Sequence, residues 1–354
     1  MRIVIDIGPI DSNSTSAHKV RGVGKYITLL KDNIEKIDQK NTYVFSSTPD
    51  KEKDVDLIHY PYFDPFFITL PLIKKNKCLV TVHDVIPLTH KQQFPVGIRG
   101  EIKWRLNKMR LRRTDGIITD SYASKQEIDK ITGISDKKIF PVHLAVENEF
   151  KETDLSNNSK SELQEKYHLP KTFVLYVGDI TWNKNLPNIV KAVKKANIPL
   201  VMVGKAVAEE LFDSRSPWNA SRKIVLEETY GNSLFNKVGF VPMDDLVGLY
   251  NLAQALIMPS FDEGFGLPVL EAMKSGCPVI TSNCGSLPEV AGGAGLYVDP
   301  ESYESISKAI GSVVNSSNLR EELSKKGLAQ ARKFSIEKMM KDTIVVYESL
   351  YHEK

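Results

Sequence analysis

Short apolar runs alternate with helix-length amphipathic stretches along the whole chain. The runs fall at residues 3–7, 43–46, 79–82 and 116–119, then at 173–177, 200–203, 255–258 and 278–281. They do not alternate cleanly with polar residues, which is the pattern of strands covered on both faces by crossover helices. Two parallel α/β sheets are therefore predicted. Residues 151–167 are polar, contain Asn157, Asn158 and Ser159, and are followed by Pro170, so the boundary between the sheets is expected near 150–170. Beyond Tyr297 helical periods take over, at 303–314, 319–333 and 336–352.

The organisation this predicts is a first Rossmann-like domain over 1–160, a second over 161–335 and a terminal helix over 336–354. A single core rarely grows past ~250 to 300 residues, so 354 residues fit two domains. In open parallel sheets ligands bind beyond the carboxyl ends of the strands, and the expected site is a cleft between the two domains.

Composition changes this picture little: 42% hydrophobic and 26% charged residues exclude disorder and simple fibrous folds. The net charge of +3 is too small to indicate a nucleic-acid partner. Three cysteines, Cys78, Cys277 and Cys284, show neither disulfide nor zinc spacing, and a reducing compartment fits. The N-terminal apolar stretch is too short for a signal peptide, and the longest apolar run, 66–73, is interrupted by Thr69 and Pro71. A cytoplasmic location is expected.

The segment Pro-Ser-Phe-Asp-Glu-Gly-Phe-Gly-Leu-Pro-Val-Leu-Glu, 259–271, follows an apolar run and enters a helix, with Pro268 suited to the first turn. Gly264, Phe265, Gly266 and Leu267 thus form a strand-to-helix turn where a ligand can approach the backbone and an anion can meet free N–H groups. Glu263 and Glu271 flank it. A carboxylate accepts both protons of a vicinal diol, as ribose and hexose offer. Either acid alone is more often a cap or dipole partner; the glycine turn and the following Ser-Gly-Cys-Pro-Val-Ile-Thr-Ser favour a ligand site.

Other candidates lie at strand exits. Gly22 and Gly24 open a helix after the polar loop 11–19, without the third glycine of a dinucleotide fingerprint, since position 27 is Ile. His83 and Asp84 leave the run 79–82. Lys184 and Asn185 follow Gly178, where an ammonium can neutralise a departing diphosphate; Asp179 and Asn183 leave it without a basic neighbour, and Lys205 is a second candidate cation. Residues 97–113 carry Ile98, Ile102, Leu106 and Met109 at helical spacing among seven basic residues. Such a helix either lies on anionic lipid or turns its apolar stripe into the core.

These motifs, with Arg21-Gly22-Val23-Gly24, Asp120-Ser121, Gly239-Phe240-Val241 and Gly285-Ser286-Leu287-Pro288-Glu289, occur in an order that resembles the retaining nucleotide-sugar glycosyltransferases of family 4. The resemblance implies the two-Rossmann GT-B fold, with the last helix returning to the first domain. It also implies transfer of a sugar from a nucleotide diphosphate sugar, with neither metal nor other cofactor. By the same resemblance, His83, Lys184 and Glu263 are the catalytic group. Gly22, Gly24, Gly178, Lys184, Asn185, Lys205, the turn 264–267 and Glu271 bind the donor. The segment His83-Asp84-Val85-Ile86-Pro87-Leu88 is similar to that of mannosyl- and rhamnosyltransferases of polysaccharide or O-antigen assembly. GDP-mannose is the first expectation for the donor and a UDP-sugar the second. A glycan or lipid-linked saccharide is the expected acceptor, met by peripheral membrane contact through 97–113. The alternatives are a sugar epimerase or phosphorylase on the same architecture, and a non-catalytic nucleotide-sugar binding module.

Overall fold

A computed structural model describes residues 1–11, 22–209 and 211–352. Arg21 and the polar loop after Asp11 lie outside the described residues. The chain divides into two compact units, one of 1–145 with 334–354 and one of 146–333.

In the first unit six strands form a parallel sheet: β1 Arg2–Asp6, β2 Thr42–Ser46, β3 Leu57–Tyr60, β4 Lys77–Thr81, β5 Gly116–Thr119 and β6 Ile139–Pro141. Their order is β2-β1-β3-β4-β5-β6. One face packs Val4, Ile58, Val80 and Ile117 against Trp104, Leu111 and Ile128. Each such side chain contributes roughly 1.5 to 3 kcal/mol on burial. The helices Gly22–Ile37 and Ile336–His352 pack on each other, the second also reaching β5.

The terminal helix is tied in by a buried polar chain. Tyr347 Oη lies 2.7 Å from His59 Nδ1, His59 Nε2 lies 2.8 Å from Thr81 Oγ1, and Thr81 Oγ1 lies 3.1 Å from Tyr26 Oη. Burial, with the charge of His83 adding to it, pushes His59 down to about 3, so its ring is neutral and serves as a structural hydrogen-bond hub.

The second unit holds β7 Val174–Val177, β8 Leu200–Val203, β9 Phe235–Gly239, β10 Leu256–Met258, β11 Val279–Ser282 and β12 Gly295–Val298. All pairings are parallel, in the order β12-β11-β10-β7-β8-β9. The order reverses between β7 and β10, and such a switch point opens a crevice at the strands' carboxyl ends.

The units meet the chain earlier than the polar stretch 150–170 suggests. Val146 and Glu147 already belong to the second unit, because Lys274 donates to both of their carbonyls at 3.1 Å, and Phe150 packs edge-on against Tyr250. The first unit takes back the chain at Phe334, whose ring lies 5.5 Å from that of His143.

The helix Gly97–Leu111 settles which way its stripe faces. Gly100, Trp104, Asn107 and Leu111 are buried, whereas Ile98, Ile102, Leu106 and Met109 are exposed. The core-facing reading of that stripe is therefore wrong. Among the described residues no helix is long and apolar enough to cross a membrane.

Candidate active site

The exits of β7 and β10 bring together residues that are far apart in the chain. After β7, Gly178 and a short turn lead to Trp182–Lys184 and then to the helix Leu186–Ala196. After β10, Pro259 and Ser260 lead to Glu263. The Lys184 ammonium donates to the Glu263 carboxylate at 2.7 Å, with side chains only 19% and 7% exposed. Ser260 donates to the other carboxylate oxygen at 2.7 Å.

The two exits are stitched by further bonds. Phe261 N–H donates to the Asn183 carbonyl at 2.8 Å and Asn183 Nδ2 to the Asp262 carbonyl at 3.0 Å, while the rings of Trp182 and Phe261 stack 5.0 Å apart. Asn185, left-handed at φ 59°, donates its amide to the carbonyls of Pro259 and Pro300. Its side chain ties these two loops together. From β11, Ser286 Oγ donates to the Glu263 carbonyl at 2.8 Å. Gly285, at φ +54°, lets this loop close, since a Cβ there would sit 2.6 Å from Asp262 Oδ1.

The glycine positions are equally tight. A Cβ on Gly204 would fall 2.1 Å from the Gly178 carbonyl oxygen, so two loop backbones touch. Lys205 begins the next short helix, highly exposed, and its ammonium lies 3.4 Å from Glu209. Gly264, Phe265 and Gly266 are buried, and Leu267 starts the helix Leu267–Lys274. Gly266 is its N-cap at φ +97°, Pro268 stands in the first turn and no side chain caps it. The uncapped start keeps its dipole end for an anion. Glu271, buried on the same helix, accepts a hydrogen bond from Tyr250 Oη at 2.8 Å. At 4% exposure it is not a surface charge, and no side chain caps this helix.

In the first unit, Gly22 and Gly24 both lie in the first turn of the helix Gly22–Ile37. His83 leaves β4 and is largely buried, with Nδ1 2.8 Å from Asp120 Oδ2 and the Tyr26 ring edge-on at 5.1 Å. Its Nε2 is buried and closes no hydrogen bond among the described residues. Burial lowers the His83 pKa, but Asp120, with smaller help from Asp84 and the nearby Pro61 carbonyl, outweighs it and holds the imidazole above its ordinary range. Sequence reasoning gave Asp120 no role. The register of β4 against β5, with Thr81 opposite Ile118, sets residue 83 beside residue 120 at the strand exits, and no local pattern reports that register.

The glycosyl transferases group 1 model matches residues 159–330, and the glycosyltransferase family 4 model matches 47–150. The O-antigen chain mannosyltransferase B of Escherichia coli is 31% identical over 302 residues, covering 83% of this chain and 76% of that protein. The chain belongs to the family 4, group 1 glycosyltransferases. The serotype-specific mannosyltransferase WbdA of Escherichia coli is 32% identical over 268 residues, covering 73% of this chain; the match spans only about a third of WbdA, 32% of its length. Among solved structures, Anabaena Alr3699/HepE in complex with UDP and glucose superposes with a TM-score of 0.72 at 15% identity, covering 99% of this chain and 100% of that one. That likeness establishes the GT-B fold of this family 4 member, built on its two six-stranded parallel sheets.

Proposed function

We propose that this protein is a retaining mannosyltransferase that uses a nucleotide diphosphate sugar, GDP-mannose first and a UDP-sugar second. It extends a glycan or lipid-linked saccharide in cell-surface polysaccharide synthesis. The observation that carries the reading is the Lys184–Glu263 pair at the β7/β10 switch point, fixed by Ser260 and set in the loop that runs on to an uncapped helix start. Two curated relatives named as mannosyltransferases support the choice of sugar.

In the proposed reaction a diphosphate seats at the amino end of the helix Leu267–Lys274 and draws the Lys184 ammonium onto its oxygens. Glu263, relieved of that partner, accepts from sugar hydroxyls, and Glu271 from those of the ribose. His83 attends the transferred sugar. The bond from the anomeric carbon to the phosphate oxygen breaks while the acceptor hydroxyl adds on the same face. Its proton passes to the departing phosphate oxygen, so no covalent enzyme intermediate and no metal is required. The acceptor is met at the cytoplasmic side of a membrane, approached peripherally through residues 97–113.

The test is turnover of GDP-mannose, UDP-glucose and dTDP-rhamnose with a mannose-terminated acceptor, reading free nucleotide diphosphate and the anomeric configuration of the product by NMR. GDP release with an α-linked product supports the reading. Binding without acceptor-dependent release would leave a non-catalytic module, and an inverted linkage would overturn retention.

A further inference from the structure

The helix Gly97–Leu111 carries two apolar faces. Gly100, Trp104, Asn107 and Leu111 enter the core, and at roughly 100° per residue Ile98, Ile102, Leu106 and Met109 fall on the opposite side. Those four are 44–82% exposed. Basic residues border the exposed stripe on both sides, Arg99, Lys103 and Arg110 on one and Arg105 and Arg112 on the other, and the helix's only acid, Glu101, is paired with Lys91 at 2.8 Å.

A second apolar surface adjoins it. In the loop 66–73, Phe67, Ile68, Leu72 and Ile73 are 65–73% exposed, while Leu70 is anchored in the core. The loop is fastened to the helix: Asn107 Nδ2 lies 2.8 to 3.3 Å from the carbonyls of Asp64, Pro65 and Phe67, and the Lys103 ammonium sits over the Phe67 ring at 5.1 Å. The Asp64 carboxylate accepts from the N–H groups of Phe66 and Phe67. The N–H groups of Phe66 and Phe67 and the Phe67 carbonyl are thus satisfied internally beside the projecting apolar side chains, which lowers the cost of inserting this edge of the loop into an acyl boundary. A groove of about 520 Å³ at the helix start, with Phe94, Ile98 and Ile102 in its walls and Arg105 beside them, continues the same face.

We infer that the helix Gly97–Leu111 and the loop 66–73 form one docking face for an anionic phospholipid bilayer. The inference rests on the peripheral location proposed for residues 97–113 and adds the loop, its Asn107 clamp and the lipid charge. The charges choose the occupant. A second copy of the chain would set this basic rim against its own, whereas acidic headgroups complement it around an apolar centre.

The test is flotation of the full chain with phosphatidylglycerol-containing vesicles and with pure phosphatidylcholine vesicles, at low and high salt. A preference of about tenfold or more for the anionic vesicles, weakened by salt, is expected. Ile98→Glu with Ile102→Glu, and separately Phe67→Asp with Ile68→Asp, should each reduce partitioning about tenfold, while melting temperature and turnover on a water-soluble acceptor hold. Equal binding to both vesicle types, no binding, or an effect of the helix pair alone would overturn the two-element face. So would a wild-type dimer that the helix variant splits. A wild-type chain that turns over but does not float would sink this face and leave the proposed reaction standing; a wild-type chain that floats but does not turn over would do the reverse.

Discussion

Lys184 and Glu263 are 79 residues apart in sequence, yet their side chains meet at 2.7 Å because β7 and β10 are neighbours in the sheet. The pair is partly buried, so each charge depends on the other. Lys184→Ala should cost about 2 kcal/mol, since among the described residues Glu263 then keeps Ser260 alone against its burial. Turnover should fall about 100-fold. Adding Glu263→Gln should restore most of the stability and none of the activity. Denaturant unfolding beside steady-state kinetics on both variants checks this, and a double variant no more stable than the single one would contradict it.

Glu271→Ala should weaken binding of the nucleotide sugar by ~1.5 to 3 kcal/mol if the carboxylate grips the ribose. Tyr250→Phe removes one internal donor to Glu271 and should leave affinity within a few fold. Calorimetric titration separates the two, and equal losses would make Glu271 a purely structural acid.

The Asp120→Asn variant should lower the pKa of His83. With the carboxylate gone, burial is left as the dominant influence on the ring. In the native protein the folded-state value is raised above 6.5, so the pairing stabilises the fold fully below that pH and is lost as pH rises through the folded value. NMR titration of the His83 ring, with unfolding followed across the same range, should show a lower midpoint and loss of that acid-side gain.

Asp6, at the exit of β1, behaves in the opposite chemical sense. Burial pushes its carboxyl up to about 6, opposed by the Gly8 N–H at 2.8 Å and helped upward by Asp50. Protonation is easier folded than unfolded, so stability is full below the ordinary value of 3.8 and declines as pH rises through about 6. Asp6→Asn keeps an oxygen for Gly8 and should stabilise the protein by about 1 to 3 kcal/mol at neutral pH, with the gain vanishing in strong acid. Melting temperatures across the pH range test it.

Gly285→Ala should cost about 2 to 4 kcal/mol and displace Glu263, because the new methyl would meet Asp262 Oδ1 at 2.6 Å and Glu263 N at 2.8 Å in a left-handed turn. Gly293→Ala, with nothing within 4 Å of its Cβ, is the control and should be silent.

Strands with dense Val, Ile and Leu, such as β4 and β8, were legible because burial on both faces leaves a plain apolar run. Four strands were not. β3 reads Leu-Ile-His-Tyr and hides a neutral histidine, β6 is three residues long and ends in proline, β9 carries Asn236 and Lys237, and β12 is a four-residue edge strand that opens on Gly295. Their place is decided by neighbouring strands, which no local pattern reports. The turn 264–267 was readable from its glycines and Pro268. The pairing of Lys184 with Glu263 and of His83 with Asp120 was not, since both depend on strand order. The outward stripe of the helix Gly97–Leu111 was visible as a period, but its direction depended on Trp104 and Asn107 claiming the inner side.

The hydroxyl of Tyr347 completes a polar chain begun by residues almost 300 positions earlier, with 288 separating it from His59. A ribosome adding roughly 5 to 20 residues per second therefore leaves the first sheet open on one side for roughly 10 to 40 seconds while the second unit is made. During that interval His59 has no Tyr347 to bond, and the buried polar chain of the first unit closes only once the helix Ile336–His352 has been made.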